Sequence, residues 1–171
     1  MLKMLKIFFS GEIPPISFPT SVFISKEEAG LEDFVQQIAD TAKFRRWFNF
    51  FPFVWLTFDN PRFDVGSSGM FYFSFPPFRY KMTCVEVDPG KYYRAEFSGL
   101  MTGHVTTRFI PQKDGILMDH PLTVTAVNRW VYLYYWLFLR PPHLPFMAWR
   151  YSMLRKNLIK EREIKKLKSK D

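Results

Sequence analysis

Two side chains that could carry acid–base chemistry share one face of a predicted sheet in this 171-residue chain. Strict alternation along the predicted strands points His120 inward, and a histidine with an ordinary pKa exchanges protons near neutral pH. Tyr80 points inward on another predicted strand and could donate to a developing oxyanion. They are the catalytic candidates, and a hydrogen-bonded core role for His120 stays open because no carboxylate partner is in view.

Other familiar chemistries are not indicated. The single cysteine, Cys84, excludes an internal disulfide and favours a reducing, cytoplasmic setting. Its spacing to His104, His120 and His143 resembles no metal site. The sequence also lacks a Gly-rich phosphate loop and a Ser-His-Asp arrangement. We therefore expect neither a metal nor a cofactor, and no reaction is required of the domain.

Positive charge is concentrated at the C-terminal end. Residues 1–127 hold 13 basic and 13 acidic residues, whereas residues 128–171 hold 11 basic and 3 acidic ones, which accounts for the whole net charge of +8. An anionic surface should therefore attract this last segment. We expect no nucleic acid partner, because the aromatic residues form apolar clusters instead of alternating with basic ones.

Residues 128–145, "NRWVYLYYWLFLRPPHLP", form an aromatic run that ends in three prolines. Arg129 and Arg140 bracket only ten residues, far short of the roughly 20 apolar residues that span a bilayer. One hypothesis is an interfacial segment, which gives a peripheral membrane location. A buried lid or a homodimer contact is the alternative. The expected membrane contacts are Trp130, Tyr134, Trp136, Phe138 and Arg140.

The chain before residue 53 predicts a strand and two helices. Residues 1–17 are an N-terminal extension, and residues 18–24 alternate as a strand does. Ser25 and Glu28 have capping-box spacing, which predicts that a helix begins there. A second helix is expected to end at Pro52, with Phe51 on its apolar face.

Residues 54–126 alternate in about six strand-length segments separated by turn signals, which predicts an antiparallel meander. After Ala126 the helical period returns, and the apolar stripe of a last helix consists of Phe146, Trp149, Met153, Leu154 and Leu158. We expect the three prolines to separate that helix from the aromatic run. Residues 18–171 would then form one domain, with residues 160–171 as a basic tail.

This order of elements resembles the helix-grip fold of the START-like, polyketide cyclase and lipid-transport (SRPBCC) superfamily. "VFISKEEAGLEDFVQQIADTAKFRRWF" is similar to the opening strand and helix pair, and "CVEVDPGKYYRAEFSG" and "GHVTTRFIPQKDGILM" resemble successive strands. The resemblance implies an α+β fold in which a curved antiparallel sheet wraps around a long C-terminal helix. It also implies that a lipid, isoprenoid, quinone or polyketide lies between them.

We therefore expect a domain that binds a hydrophobic small molecule, and transports it at a membrane surface. An aromatase/cyclase or dehydratase acting in the same pocket, and a dimerising interaction module, stay open as alternatives. A filled core is also open, because composition does not distinguish a cavity wall from a close-packed core. The residues expected around the ligand are the inward-facing ones: Phe71, Phe73, Tyr80, Met82, Phe97, Phe109, Met118, His120, Leu122, Trp149 and Met153.

Overall fold

A single antiparallel sheet forms most of the fold in the computed structural model, which describes residues 12–74 and 77–169. The strands run in the order β1-β9-β7-β6-β5-β4-β3, and β8 pairs with both β2 and β7. Their bounds are β1 Ile16–Phe18, β2 Ser21–Ser25, β3 Val54–Phe58, β4 Ser68–Ser74, β5 Pro77–Asp88, β6 Tyr92–Gly99, β7 Met101–Gln112, β8 Gly115–Asp119 and β9 Leu122–Ala126.

Two short helices and one long helical stretch cover the inner face of this sheet. The short helices are α1 Leu31–Ala39 and α2 Thr41–Phe48. The long stretch consists of α3 Arg129–Tyr134, a π-helical turn at Tyr135–Leu139 and α4 Arg140–Lys168. This arrangement confirms the predicted α+β helix-grip architecture.

The predicted alternation of the strands is confirmed. Side chains predicted to face inward are buried or half-buried, whereas Lys81, Glu96, His104 and Arg108 on the opposite face are exposed. Gly103 lets β7 approach β9 closely, because a Cβ there would lie 2.1 Å from the Thr123 carbonyl oxygen. Its φ of +148° also favours glycine. The sheet therefore has one wet face and one face that packs on the helices.

The predicted start of the first helix is wrong by several residues. The Ser25 N–H does donate to Glu28 Oε2 at 2.9 Å, as half of a capping box. This hydrogen bond stabilises an isolated turn at residues 25–28. The helix α1 begins only at Leu31, after Gly30. The second helix ends at Phe48, so Phe51 leaves the core and is 77% exposed.

The prediction that prolines separate the last helix from the aromatic run is also wrong. The π-helical turn at Tyr135–Leu139 changes the hydrogen-bond register, so Arg140 N–H donates to the Tyr135 carbonyl. Pro141 and Pro142 then fall in the first turn of α4, where a missing N–H costs least. Helical backbone is thus continuous from residue 129 to residue 168.

The buried stripe of α4 agrees with the predicted one at Leu154 and Leu158. It differs at Trp149, which is exposed, and at Phe146 and Met153, which are half-buried. Met147, Tyr151, Leu154 and Leu158 are buried, together with Arg150 at 3% exposure. Arg150 Nε donates to the Trp47 carbonyl oxygen at 2.7 Å, and Arg150 Nη2 donates to the same oxygen. That carbonyl belongs to the last turn of α2, where a cation is favourable. With Arg150 buried against α2, the face of α4 that packs on the core carries Met147 and Tyr151, and Trp149 lies at the surface.

Candidate ligand-binding site

A cavity of about 310 Å³ lies between the inner face of the sheet and the long helical stretch. Its wall combines the end of α2 and the loop after it with strand residues and with the π-helical turn and α4. Nearly all of its side chains are aromatic or aliphatic. The lining residues are Phe48, Phe50, Phe53, Val54, Phe73, Tyr80, Leu122, Tyr135, Phe138, Leu139, Pro142, His143, Phe146 and Met147.

A smaller recess of about 60 Å³ adjoins this cavity on its inner side. The two spaces share the wall residues Phe48, Tyr80, Leu122, His143 and Met147. Rings from α2 and from β4, β5 and β6 close the rest of the recess. Its other lining residues are Phe44, Phe71, Met82, Phe97, Val105 and His120.

Stacked rings brace the wall of the cavity. The Phe73 and Phe78 rings are stacked with centroids 4.2 Å apart, and the Phe71 and Tyr80 rings are stacked at 4.7 Å. The Phe48 ring meets Phe71 edge to face at 5.5 Å. Aromatic side chains have few rotatable bonds, so such a wall is stiff and can keep its shape without a ligand.

The recess carries three polar side chains, and burial keeps them uncharged. Desolvation lowers the pKa of His120 to about 4, and the neighbouring His143 lowers it further. Desolvation also lowers the pKa of His143 to about 4. Burial raises the pKa of Tyr80 well above its usual range, with Tyr135 adding to the effect. Neutral imidazole and neutral phenol are therefore the forms present near pH 7.

Hydrogen bonds fix the position of His120. Its Nδ1 lies 2.7 Å from Thr107 Oγ1, and its backbone N–H donates to the Thr20 carbonyl at 2.7 Å. Thr20 Oγ1 in turn donates to the His120 carbonyl at 2.8 Å and accepts from the Tyr151 hydroxyl at 3.0 Å. By contrast, His143 Nδ1 is buried and has no hydrogen-bond partner among the described residues.

The structure brings most of the predicted ligand-contact residues together. Phe73, Tyr80 and Leu122 line the cavity, and a further group lines the recess: Phe71, Met82, Phe97 and His120.

Four predicted contact residues line neither space. Phe109 and Met118 are buried as cross-strand partners of β7 and β8, and the Phe109 ring packs against Phe34 at 5.3 Å. Trp149 is 41% exposed, and Met153 is half-buried against the core.

Exposed aromatic side chains mark the point where the cavity reaches the surface. Phe50, Phe53 and Phe138 line the cavity and are also exposed. The Phe50 ring stacks on Phe53 at 5.1 Å and meets Trp149 edge to face at 4.6 Å. With Phe51, which is 77% exposed, these residues form what we call the rim: Phe50, Phe51, Phe53, Phe138 and Trp149.

The sequence reasoning missed the α2–β3 part of the rim and His143. The signal was present in "FNFFPF", an aromatic run broken by a proline, since large apolar residues that cannot continue a helix are left in a loop. His143 was considered only as a metal ligand, and its spacing to Cys84 indicated no such site. It enters the site because α4 already includes the neighbouring prolines.

The residues predicted to contact a membrane differ in exposure. Trp130 and Phe138 are 69% and 57% exposed, and Arg140 is exposed with its guanidinium 5.8 Å from the centroid of the Trp136 ring. Trp136 and Tyr134 are half-buried, and the Tyr134 ring stacks on Phe138 at 5.4 Å. No helix within residues 12–74 and 77–169 is long and apolar enough to cross a membrane.

Comparison with known proteins identifies the fold. No family model and no curated protein sequence matches the chain. A solved point mutant of norcoclaurine synthase from Thalictrum flavum, in complex with a transition-state analogue, is 13% identical, covers 88% of this chain and 98% of its own, and has a TM-score of 0.64.

Two further solved structures agree. A protein from Mesorhizobium loti is 10% identical over 85% of this chain and 98% of its own, with a TM-score of 0.63. Ara h 8.0201 is 7% identical over 86% and 99%, with a TM-score of 0.58. The chain therefore has the same helix-grip fold as these proteins, a scaffold that by itself assigns no activity.

Proposed function

We propose that this protein binds a hydrophobic small molecule in the cavity between the sheet and α4, and carries it. The observation that supports this most is the cavity itself, about 310 Å³ of apolar-walled space that reaches the surface at the rim. This volume lies at the lower end of the range for small-molecule sites. Each square ångström of apolar ligand surface hidden there contributes about 25 cal/mol.

Filling the cavity should abolish binding. Leu122 lines both the cavity and the recess, so Leu122→Trp would place a ring in the space that the ligand needs. The matched control is Val65→Trp, because Val65 is 63% exposed in the turn between β3 and β4, away from the cavity wall. Fluorescence of the neutral dye Nile red would report binding. Equal dye uptake by both variants and the unmodified protein would contradict the proposal.

A membrane surface is the proposed place of ligand exchange. The two segments that supply the rim, residues 41–58 and 120–160, contain no Asp or Glu. They do contain exposed bases, including Arg45, Arg46 and Arg140. Aromatic rings favour the depth of the lipid headgroups, and each basic residue near an anionic leaflet contributes about 1 kcal/mol. Rim insertion would open the cavity directly to the lipid.

Vesicle flotation tests this step. The unmodified protein should float with vesicles of phosphatidylcholine and phosphatidylserine, and less so as salt screens the charges. Replacing both Phe51 and Phe53 by Ser should reduce flotation strongly, whereas Val65→Ser should not. Flotation of the double variant at the unmodified level would contradict the membrane step. Concentration-dependent dimerisation without lipid, lost in the double variant, would instead identify the rim as a dimer contact.

A catalytic use of the recess has one observation in its favour, the convergence of Tyr80, His120 and His143 on one small space. Both imidazoles have a pKa of about 4, so neither is present near neutral pH as the imidazolium that acts as a general acid. Each can still accept a proton. The observations therefore support positioning of a ligand further than they support proton donation by a cyclase or dehydratase.

A further inference from the structure

The polar groups of the recess lie at the inner end of an otherwise apolar site. Tyr80, His120 and His143 are the residues with polar side-chain atoms among those lining the recess, and Tyr80 and His143 also face the cavity. The outer end is bordered by the rim, whose rings are apolar apart from the indole N–H of Trp149. A molecule that fills both spaces therefore meets mainly apolar walls along its body, where Tyr135 adds one hydroxyl, and most of the polar side chains at one end.

No counter-charge is available in either space. Of the described residues that line the cavity and the recess, none is Asp, Glu, Lys or Arg. An ionised carboxylate or ammonium placed there would lose its hydration without gaining an ion pair, which is strongly unfavourable. The site therefore selects against ionised ligands.

One polar atom in this region has no partner in the described part of the chain. His143 Nδ1 is buried and makes no hydrogen bond, and a buried polar atom without a partner costs free energy. A neutral imidazole has one bare nitrogen that accepts and one N–H that donates, while the phenol of Tyr80 can do either. A hydroxyl group complements this set in every tautomer because it both donates and accepts.

We infer that the recess receives the uncharged hydroxyl end of an apolar molecule, whose body fills the cavity. This inference rests on the proposed binding function and narrows it to a neutral alcohol or phenol. Tyr80, His120 and His143 supply its polar partners. Recess volume agrees with this assignment, since about 60 Å³ suits a small polar end group and not a second ring system.

Three ligands of the same shape separate this inference from the proposed function. They are 2-naphthol, 2-methylnaphthalene and 2-naphthoate, and each would compete with Nile red for the unmodified protein at pH 7. We expect 2-naphthol to bind about tenfold more tightly than 2-methylnaphthalene, the effect of one or two neutral hydrogen bonds. We expect 2-naphthoate to bind at least about a hundredfold more weakly than 2-naphthol.

The possible negative results distinguish a wrong assignment of the recess from a wrong binding function. Equal affinity for 2-naphthol and 2-methylnaphthalene would overturn the assignment of the recess but leave hydrophobic binding intact. Tighter binding of 2-naphthoate would also overturn it. Competition by none of the three, together with no uptake of Nile red, would overturn the binding function itself.

A variant pair locates the effect. His143→Phe keeps a ring but removes both ring nitrogens, so the preference for 2-naphthol over 2-methylnaphthalene should fall. Val65→Phe changes an exposed turn residue that lines neither space and should keep the tenfold preference. An unchanged preference in His143→Phe would overturn the role of His143.

Discussion

Shortening Met147 to alanine distinguishes an empty interior from a filled one. Met147 is 5% exposed and lies on the wall shared by the cavity and the recess. Replacing a buried methionine by alanine ordinarily costs about 2 to 5 kcal/mol, and the cost increases with the volume of new void. Because Met147 already borders empty space, it has fewer packing contacts to lose, and we expect about 2 kcal/mol.

Met118→Ala is the matched control. Met118 is 0% exposed, lies on β8 and lines neither space, so its removal would open a new void in close-packed core. We expect it to cost about 4 kcal/mol. Urea denaturation of both variants and the unmodified protein would give the free energies of unfolding. Equal costs near the upper value would refute the reasoning, because they would mean that the space around Met147 is filled.

Ligand binding provides a second measurement on Met147→Ala and Met118→Ala. A ligand present at 100 times its Kd stabilises the folded state by about 2.7 kcal/mol, enough to offset the expected loss in Met147→Ala. Joining the cavity and the recess should also tighten binding of Nile red, which is bulkier than 2-naphthol. Met118→Ala should leave the Kd of the dye unchanged. A weaker Kd in Met147→Ala would contradict this account of the wall.

Further predictions concern the groups that shape the site. Arg150→Met should lower the free energy of unfolding in urea by about 2 kcal/mol, because a buried carbonyl loses its charged donor; no loss would contradict the capping role. Burial holds the pKa of His120 and His143 near 4, below the value of about 6.5 in an unfolded chain. Stability should therefore be full above pH 6.5 and fall towards pH 4 as the unfolded state takes up protons, and replacing both histidines by Gln should flatten that profile. Gly103→Ala should destabilise by more than about 3 kcal/mol while Gly30→Ala, with open space around it, should not, as thermal unfolding would show.

The sheet could be predicted from the sequence because its signal is local. Side chains alternate along each strand, so Phe71, Met82 and Phe97 could be assigned to the inner face without knowledge of their neighbours. The helix α1 is indicated for the same reason by apolar residues at helical spacing, which are Leu31, Phe34, Val35, Ile38 and Ala39. These two signals, with the order of elements, were sufficient for the helix-grip fold.

The face of α4 could not be predicted because it depends on a distant partner. Hydropathy favours Trp149 in the core and Arg150 in water. The carbonyl of Trp47, which lies 103 residues away in sequence, reverses that preference because it gives the guanidinium a buried acceptor. The aromatic ring then remains at the surface, where it packs on Phe50 and joins the rim.

The rim and the position of His143 depend on two features of the helices that were not predicted correctly from the sequence. Phe51 was expected on the apolar face of α2, but that helix ends at Phe48 and leaves Phe51 in the loop. The π-helical turn at residues 135–139 was not predicted, because such a single turn produces no recognisable periodicity in the sequence. It carries the helix through the prolines and thereby brings His143 to the recess.

Native mass spectrometry of the purified protein tests the central claim most directly. An apolar-walled cavity that reaches the surface should retain a hydrophobic compound, at close to one molecule per chain, in the unmodified protein and in Val65→Trp. The same compound should be absent from Leu122→Trp. Finding only the mass of the bare chain, together with no Nile red uptake by the unmodified protein, would contradict the account.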